Sequence, residues 1–151
     1  MTQTQNPAAV ALVLRHTFDA PCETVFKAWT DPAIMQQFFG PSSHKCKDVQ
    51  VDLREGGSYR ITMVAKDGEE IVVVGTYSEV VVPERIVCTW RWLEDSPEEE
   101  YDTLLTLDFT AKGSQTELVL SHENFRAAES CENHTEGWTA ILEAYAKLIA
   151  S

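Results

Sequence analysis

The pattern that most constrains this chain is a long region in which apolar and polar residues alternate. Across residues 47–123 this alternation runs in short segments, and Val49, Val51 and Leu53 begin the first of them. A period of two places every second side chain on the same face of a β-strand. Turn signals such as Asp67-Gly68 separate the segments, and strands joined by tight turns pair antiparallel. We therefore predict an antiparallel sheet with one apolar face.

The last segment of the chain has a helical period instead. Residues three or four positions apart form one largely apolar stripe. They are His134, Trp138, Ile141, Leu142, Tyr145, Leu148 and Ile149. This spacing predicts an amphipathic C-terminal helix of about twenty residues. A helix of this kind buries its apolar stripe against another layer, so we expect it to cover the apolar face of the sheet.

The N-terminal part adds one strand and two short helices. Residues 10–18 alternate and predict a half-buried strand. Pro21 suits the first position of a helix that carries Trp29 as a core residue, and Asp31-Pro32 starts a second helix that Gly40-Pro41 ends. The predicted order is one strand, two short helices, six strands and a long helix. An acidic loop, residues 94–100, interrupts the strands.

Composition narrows the class of protein. The 151 residues suit one α+β domain, which we assign to residues 10–151 after a flexible N-terminal segment, residues 1–9. Twenty-four acidic residues against twelve basic ones give a formal charge of −12. Such an acidic protein repels nucleic acid and anionic lipid surfaces, so we expect no nucleic-acid partner. We also expect no membrane insertion, because the apolar runs are only a few residues long.

Signals for export and for metal binding are weak. The N-terminal residues lack the basic and apolar regions of a secretory signal, which favours a cytoplasmic location. The four cysteines, Cys22, Cys46, Cys88 and Cys131, are isolated, so we expect free thiols and no disulfide. The Cys131/His134 spacing has no second ligand pair, so no metal site is predicted. We expect no cofactor and assign no catalytic nucleophile, since no phosphate-binding or nucleophile motif occurs.

Four ordered segments, residues 18–32, 52–60, 75–92 and 134–148, resemble the activator of heat shock protein 90 ATPase homologue-like (AHSA-type) family. That family belongs to the START-like, or SRPBCC, superfamily. The resemblance implies a helix-grip fold, in which a curved seven-stranded antiparallel sheet surrounds a long C-terminal helix. It also implies a cavity between sheet and helix, with the two short helices near its mouth. Members of the superfamily bind lipids, polyketides and other apolar or aromatic molecules, and some are enzymes.

Strand parity and helix spacing give the candidate ligand-binding residues. Inward positions of the sheet include His122, and Tyr77 is a weaker candidate because Gly75 beside it suggests a bulge. Phe38, Phe39 and Phe125 are expected near the mouth. The complete set is Phe38, Phe39, Tyr59, Met63, Tyr77, Trp90, Trp92, Leu105, Leu107, His122, Phe125, His134, Trp138, Ile141 and Tyr145. Large aromatic residues line ligand pockets, and they also fill cores, so both interpretations stand.

Three functions follow from these residues. The first is the binding of a hydrophobic or aromatic small molecule in the cavity, by a monomer or a homodimer. The second is an enzyme that moves a proton through His122 or His134. The alternative, which we favour, is that each histidine only bonds a neighbouring backbone carbonyl and has no chemical role. The third is a protein-interaction or co-chaperone role, connected with the stress response, in which the acidic surface docks a basic protein partner. The eukaryotic namesake activates a chaperone through an additional N-terminal domain, so we do not expect this chain to do so alone.

Overall fold

A computed structural model describes residues 10–39, 44–93, 101–126 and 128–150 of the chain. The expected flexible segment at residues 1–9, the helix-ending Gly40-Pro41 and the acidic loop at residues 94–100 lie outside the described residues. The helices and strands follow the predicted order. They are β1 (Val10–Phe18), α1 (Cys22–Thr30), α2 (Pro32–Phe38), β2 (His44–Val51), β3 (Ser58–Ala65), β4 (Glu70–Val81), β5 (Arg85–Trp92), β6 (Thr103–Lys112), β7 (Gln115–Phe125) and α3 (Ala128–Ala150).

The seven strands form one antiparallel sheet in the order β1-β7-β6-β5-β4-β3-β2. Six strands follow one another as hairpins, and β1 adds to the far edge by pairing with β7. The pairing of Leu12 with His122 fixes which side chains of these two strands face inward. The predicted α+β helix-grip fold is confirmed. None of the helices in the described residues is long and apolar enough to cross a membrane.

The starts of the two short helices have simple local causes. Asp31 accepts a hydrogen bond from the backbone N–H of Ala33 at 2.9 Å, and Pro32 occupies the first helical position of α2. The prediction for α1 is wrong by one residue. Pro21 is the N-cap with an extended backbone, and the helix begins at Cys22. The backbone at Pro21 is extended, so this residue is not itself helical. Its carbonyl accepts the first hydrogen bonds of the helix, from the backbone N–H groups of Thr24 and Val25.

The short helices pack against α3 through aromatic rings. Trp29 is buried, as expected for a core residue, and its ring contacts those of Trp138 and Tyr145. The hydroxyl of Tyr145 donates to the backbone carbonyl of Val25, which ties α3 to α1. Phe38 stacks on Tyr145 with 4.5 Å between ring centroids. These contacts fix the end of α2 against the C-terminal half of α3.

Gly75 marks a close approach in β4. The Tyr59 phenol crosses β4 at this glycine and donates to the carbonyl oxygen of Thr89 on β5. A Cβ on Gly75 would overlap that oxygen and the Tyr59 ring, so no larger residue fits. The register of β4 against β5 shifts between Tyr77 and Glu79, beyond this point. Tyr77 stays buried on the inner face of the sheet.

Candidate ligand-binding cavity

An apolar cavity of about 290 Å³ lies between the inner face of the sheet and the first half of α3. Strands β3, β4 and β5 form one wall, α3 forms the other, and Phe39 closes one end. Its lining residues are Phe39, Met63, Ile71, Trp90, Trp92, Asn133, His134, Gly137, Trp138 and Ile141. No Asp, Glu, Lys or Arg is among them. The cavity lies close to the lower end of the size range of about 300–1,000 Å³ for small-molecule pockets.

Two periodicities bring the aromatic walls together. Trp90 and Trp92 share the inner face of β5 because they are two residues apart, and their rings meet edge to face at 5.5 Å between centroids. His134, Trp138 and Ile141 share one stripe of α3 because they are three or four residues apart. The Trp90 and Trp138 rings lie 4.8 Å apart between centroids. Large aromatic surfaces therefore face the cavity from both layers.

Gly137 leaves the helix side of the cavity open. It lies inside α3, where glycine lowers helix stability by roughly 0.5–1 kcal/mol relative to alanine. A Cβ built on Gly137 would meet no atom within 4 Å, so the glycine serves no close packing contact. A larger side chain here would project into space that borders the cavity.

A second, deeper chamber is almost completely filled by side chains. Its volume is about 20 Å³, and Phe39 and Trp90 line both this inner chamber and the main cavity. The other residues around the inner chamber are Trp29, Met35, Tyr59, Ile61, Tyr77, Ile86, Cys88, Leu105 and Leu107. Burial raises the pKa of the Cys88 thiol to about 12, so this cysteine is an un-ionised core residue at neutral pH.

His122 is fully buried beside the cavity and both of its ring nitrogens are engaged. Its Nδ1 accepts from the indole N–H of Trp138 at 3.0 Å. Its Nε2 must then carry the proton, and it lies 2.7 Å from Oγ1 of Thr103, which itself donates to the Trp90 carbonyl. Burial, with a smaller effect of His134, lowers the pKa of His122 to about 2. The imidazole is therefore neutral with one defined tautomer.

The two ring nitrogens of His134 have the reverse hydrogen-bonding roles of those of His122. Its Nε2 accepts from the indole N–H of Trp92 at 2.8 Å, and its Nδ1 donates to the Ser130 carbonyl at 2.8 Å. Burial lowers the pKa of His134, and the hydrogen bond to Ser130 opposes this effect. Neither histidine has a free ring nitrogen, so neither is arranged to accept a proton from a molecule in the cavity.

The structure distributes the fifteen candidate residues over three locations. Seven line the main cavity: Phe39, Met63, Trp90, Trp92, His134, Trp138 and Ile141. Four line the inner chamber without the main cavity: Tyr59, Tyr77, Leu105 and Leu107. The other four, Phe38, His122, Phe125 and Tyr145, line neither space and are buried against other rings.

Three residues that line the cavity were not among the candidates. Ile71 pairs with Met63 across β3 and β4, so register brings it to the cavity. Asn133 and Gly137 precede His134 and Trp138 on α3. The sequence contained a signal for Gly137, because a glycine inside an amphipathic helix needs an explanation. It contained no comparable signal for Ile71 or Asn133.

A larger groove of about 670 Å³ lies on the opposite, outer face of the sheet. It is open and mostly polar, and its residues include Arg60, Arg91 and Asp102. Arg91 is paired with Asp102 at 2.9 Å. The two arginines and the acidic residues Asp52 and Asp102 give the groove no excess of charge. Among the described residues no group of three or more His, Cys, Asp and Glu side chains is arranged to hold a metal ion.

Comparison with known proteins agrees with this geometry. The family described as Activator of Hsp90 ATPase homolog 1-like protein matches residues 19–150. Protein CV1439 of Chromobacterium violaceum is 28% identical and has a TM-score of 0.85, over 93% of this chain and 97% of that chain. The AHSA1 protein of Silicibacter pomeroyi is 26% identical with a TM-score of 0.81, over 93% and 98%.

A third similar structure shows the fold alone. The AHSA1-like protein of Aeromonas hydrophila is 21% identical, with a TM-score of 0.77 over 93% of this chain and 92% of that chain. None of the curated proteins matches the sequence. The family match covers most of the chain, and the fold of these structures is the one described above. The chain therefore belongs to the Activator of Hsp90 ATPase homolog 1-like family.

Proposed function

We propose that this protein binds a small hydrophobic or aromatic molecule in the cavity between β3–β5 and α3. The observation that carries the proposal is the apolar cavity of about 290 Å³ and the glycine that borders it. Gly137 lowers helix stability and makes no close packing contact in return, which fits a position where open space is kept beside the cavity. The START-like superfamily, which commonly binds hydrophobic ligands, supports the same function.

Proton-transfer catalysis by His122 or His134 is less well supported. A general base needs a free lone pair within reach of the substrate, and both nitrogens of each ring are already bonded. We therefore keep ligand binding as the single proposal.

The test is native mass spectrometry of the protein purified from its own source. The comparison is with the same sample after denaturation and organic extraction. We expect a reproducible small molecule to accompany the folded protein. Gly137→Leu should abolish its retention because the leucine side chain takes up space at the helix side of the cavity, while the variant remains folded.

Thr139→Leu is the matched control, because Thr139 is exposed on the same helix. It introduces the same side chain outside the cavity and should retain the molecule. A clean mass for the wild-type protein, together with no thermal shift across a panel of hydrophobic compounds, would overturn the proposal. Equal retention by Gly137→Leu and wild type would overturn the location of the site.

A further inference from the structure

The indole N–H of Trp90 is a buried donor without an acceptor. Among the buried side-chain nitrogen and oxygen atoms of the described residues, Trp90 Nε1 alone has no hydrogen-bond partner. Trp90 as a whole is 3% exposed. Buried polar groups are nearly always hydrogen-bonded, because an unpaired donor loses its bonds to water and gains nothing. An exception inside a candidate binding site therefore needs an explanation.

The two neighbouring tryptophans of the cavity make the contrast clear. Trp92 donates to His134 at 2.8 Å, and Trp138 donates to His122 at 3.0 Å. The fold thus supplies a neutral imidazole acceptor to each of these indoles. It supplies none to Trp90, whose ring lies between theirs on the wall of the cavity.

The position of Trp90 limits where an acceptor can come from. Its ring lines both the main cavity and the inner chamber, and Nε1 itself is fully covered. The hydroxyl of Tyr59, which also lines the inner chamber, donates to the Thr89 carbonyl and does not accept from Trp90 Nε1. The Trp90 ring borders the main cavity and the inner chamber, so an acceptor oxygen of a bound molecule would reach Nε1 from there once the atoms that cover Nε1 move aside.

The lining also restricts the charge of a ligand. The main cavity has no ionised side chain, and His134 is neutral. A charged group buried there would be unpaired, which is strongly unfavourable. The formal charge of −12 further disfavours anions.

Building on the ligand-binding function proposed above, we propose that the ligand is an uncharged aromatic compound with an acceptor oxygen, such as a ketone carbonyl. That oxygen accepts a hydrogen bond from Trp90 Nε1–H, while the aromatic part packs against the cavity-facing surfaces of Trp92 and Trp138. Trp90 is then a specificity-determining residue that selects carbonyl compounds over hydrocarbons of the same shape.

The test compares two probes of equal shape, acetylnaphthalene and isopropenylnaphthalene, substituted at the same ring carbon. They differ only in a C=O or a C=CH₂ group. Calorimetric titration should give roughly tenfold tighter binding of the ketone by the wild-type protein. Trp90→Phe should remove this preference, and Trp92→Phe should keep it, because the Trp92 N–H is already bonded to His134.

A second measurement does not depend on the stability of the variants. In wild-type protein with ¹⁵N-labelled tryptophan, the ketone should shift one indole N–H resonance downfield, and the alkene should not. Naphthoate, which has the same ring and a charged group, should bind more weakly than the ketone at neutral pH.

The outcomes separate the two proposals. Equal binding of ketone and alkene by the wild type, or a preference that survives in Trp90→Phe, would overturn the role of Trp90 and leave cavity binding intact. Such a result would fit a single water molecule in the inner chamber, which is large enough to hold one.

Tighter binding of naphthoate than of the ketone would overturn the inference that the ligand is uncharged. Binding of neither neutral probe would count against the cavity function itself, and this inference would fall with it.

Discussion

The indole N–H of Trp138 donates to Nδ1 of His122 across 3.0 Å, and this bond joins α3 to β7 beneath the cavity. His122 continues the connection to Thr103 on β6, and Thr103 donates to the Trp90 carbonyl on β5. One buried imidazole thus links the helix to three adjacent strands. Because every member is satisfied, the network holds α3 at a fixed distance from the sheet.

Replacing His122 with leucine should lower the free energy of unfolding by about 1–3 kcal/mol, because the Trp138 N–H is left buried without an acceptor. Urea denaturation measures this change. Trp138→Phe removes the donor, so the double variant should lose less stability than the sum of the two single variants. Simple additivity would show that the two residues do not interact in solution.

The histidine pair predicts that acid destabilises the fold. Folded His122 has a pKa of about 2 against an ordinary value of 6.5, and the pKa of His134 is also lowered. Below pH 6.5 the unfolded chain binds protons that the folded chain does not, so stability falls as the pH decreases. His122 should contribute a slope approaching 1.4 kcal/mol per pH unit, where 1.4 is about 2.303RT, and His134 should add to it in the same direction.

The measurement is the free energy of unfolding between pH 7 and about pH 5, above the main titration of carboxylates. His122→Leu should have a shallower slope than wild type because one proton-binding site of the unfolded chain is lost. Identical slopes would mean that folded His122 binds a proton in this range. The imidazole C2–H resonance of His122 should also stay constant over the same interval.

Gly137→Ala should stabilise the protein without ligand by roughly 0.5–1 kcal/mol. The gain comes from helix propensity, and the new Cβ meets no atom within 4 Å. Thermal unfolding in the absence of any hydrophobic compound measures it. A loss of stability would indicate that the helix packs more closely on the sheet at this position.

Leu105→Trp should behave differently, because Leu105 faces the inner chamber of about 20 Å³. That space is too small for an indole, so overpacking should destabilise the protein by about 1–3 kcal/mol. Gly137→Leu adds volume beside the main cavity and should leave the urea midpoint near that of wild type. Equal loss in both variants would argue against an open cavity next to α3.

Gly75→Ala should be among the most damaging small substitutions. Its Cβ would overlap the backbone carbonyl of Thr89 as well as the Tyr59 ring. We expect a loss of about 2–3 kcal/mol in urea denaturation, since the strand must move to make room. Adding Tyr59→Leu should not restore stability because the backbone overlap remains, and full recovery would locate the clash in the Tyr59 side chain alone.

The helices and strands and their order can be predicted from local patterns along the chain. Alternation specified seven strands, the three-and-four spacing specified α3, and Asp31-Pro32 specified the start of α2. These features depend on neighbours within a few residues along the chain, so the sequence displays them directly. Parity also identified the inward-facing side chains, including Trp90, Trp92 and Met63.

Which of the inward-facing residues border open space depends instead on the packing of the helices against the sheet. Tyr145 lies on the inward stripe of α3, and Phe125 was expected near the mouth of the cavity. Other rings nevertheless cover both side chains completely. The pairing of each histidine with a tryptophan, and the lack of an acceptor for Trp90, likewise involve residues far apart in sequence. Strand curvature and the distance from α3 to the sheet set these relations. Both arise from the packing of all layers together, which no local pattern encodes.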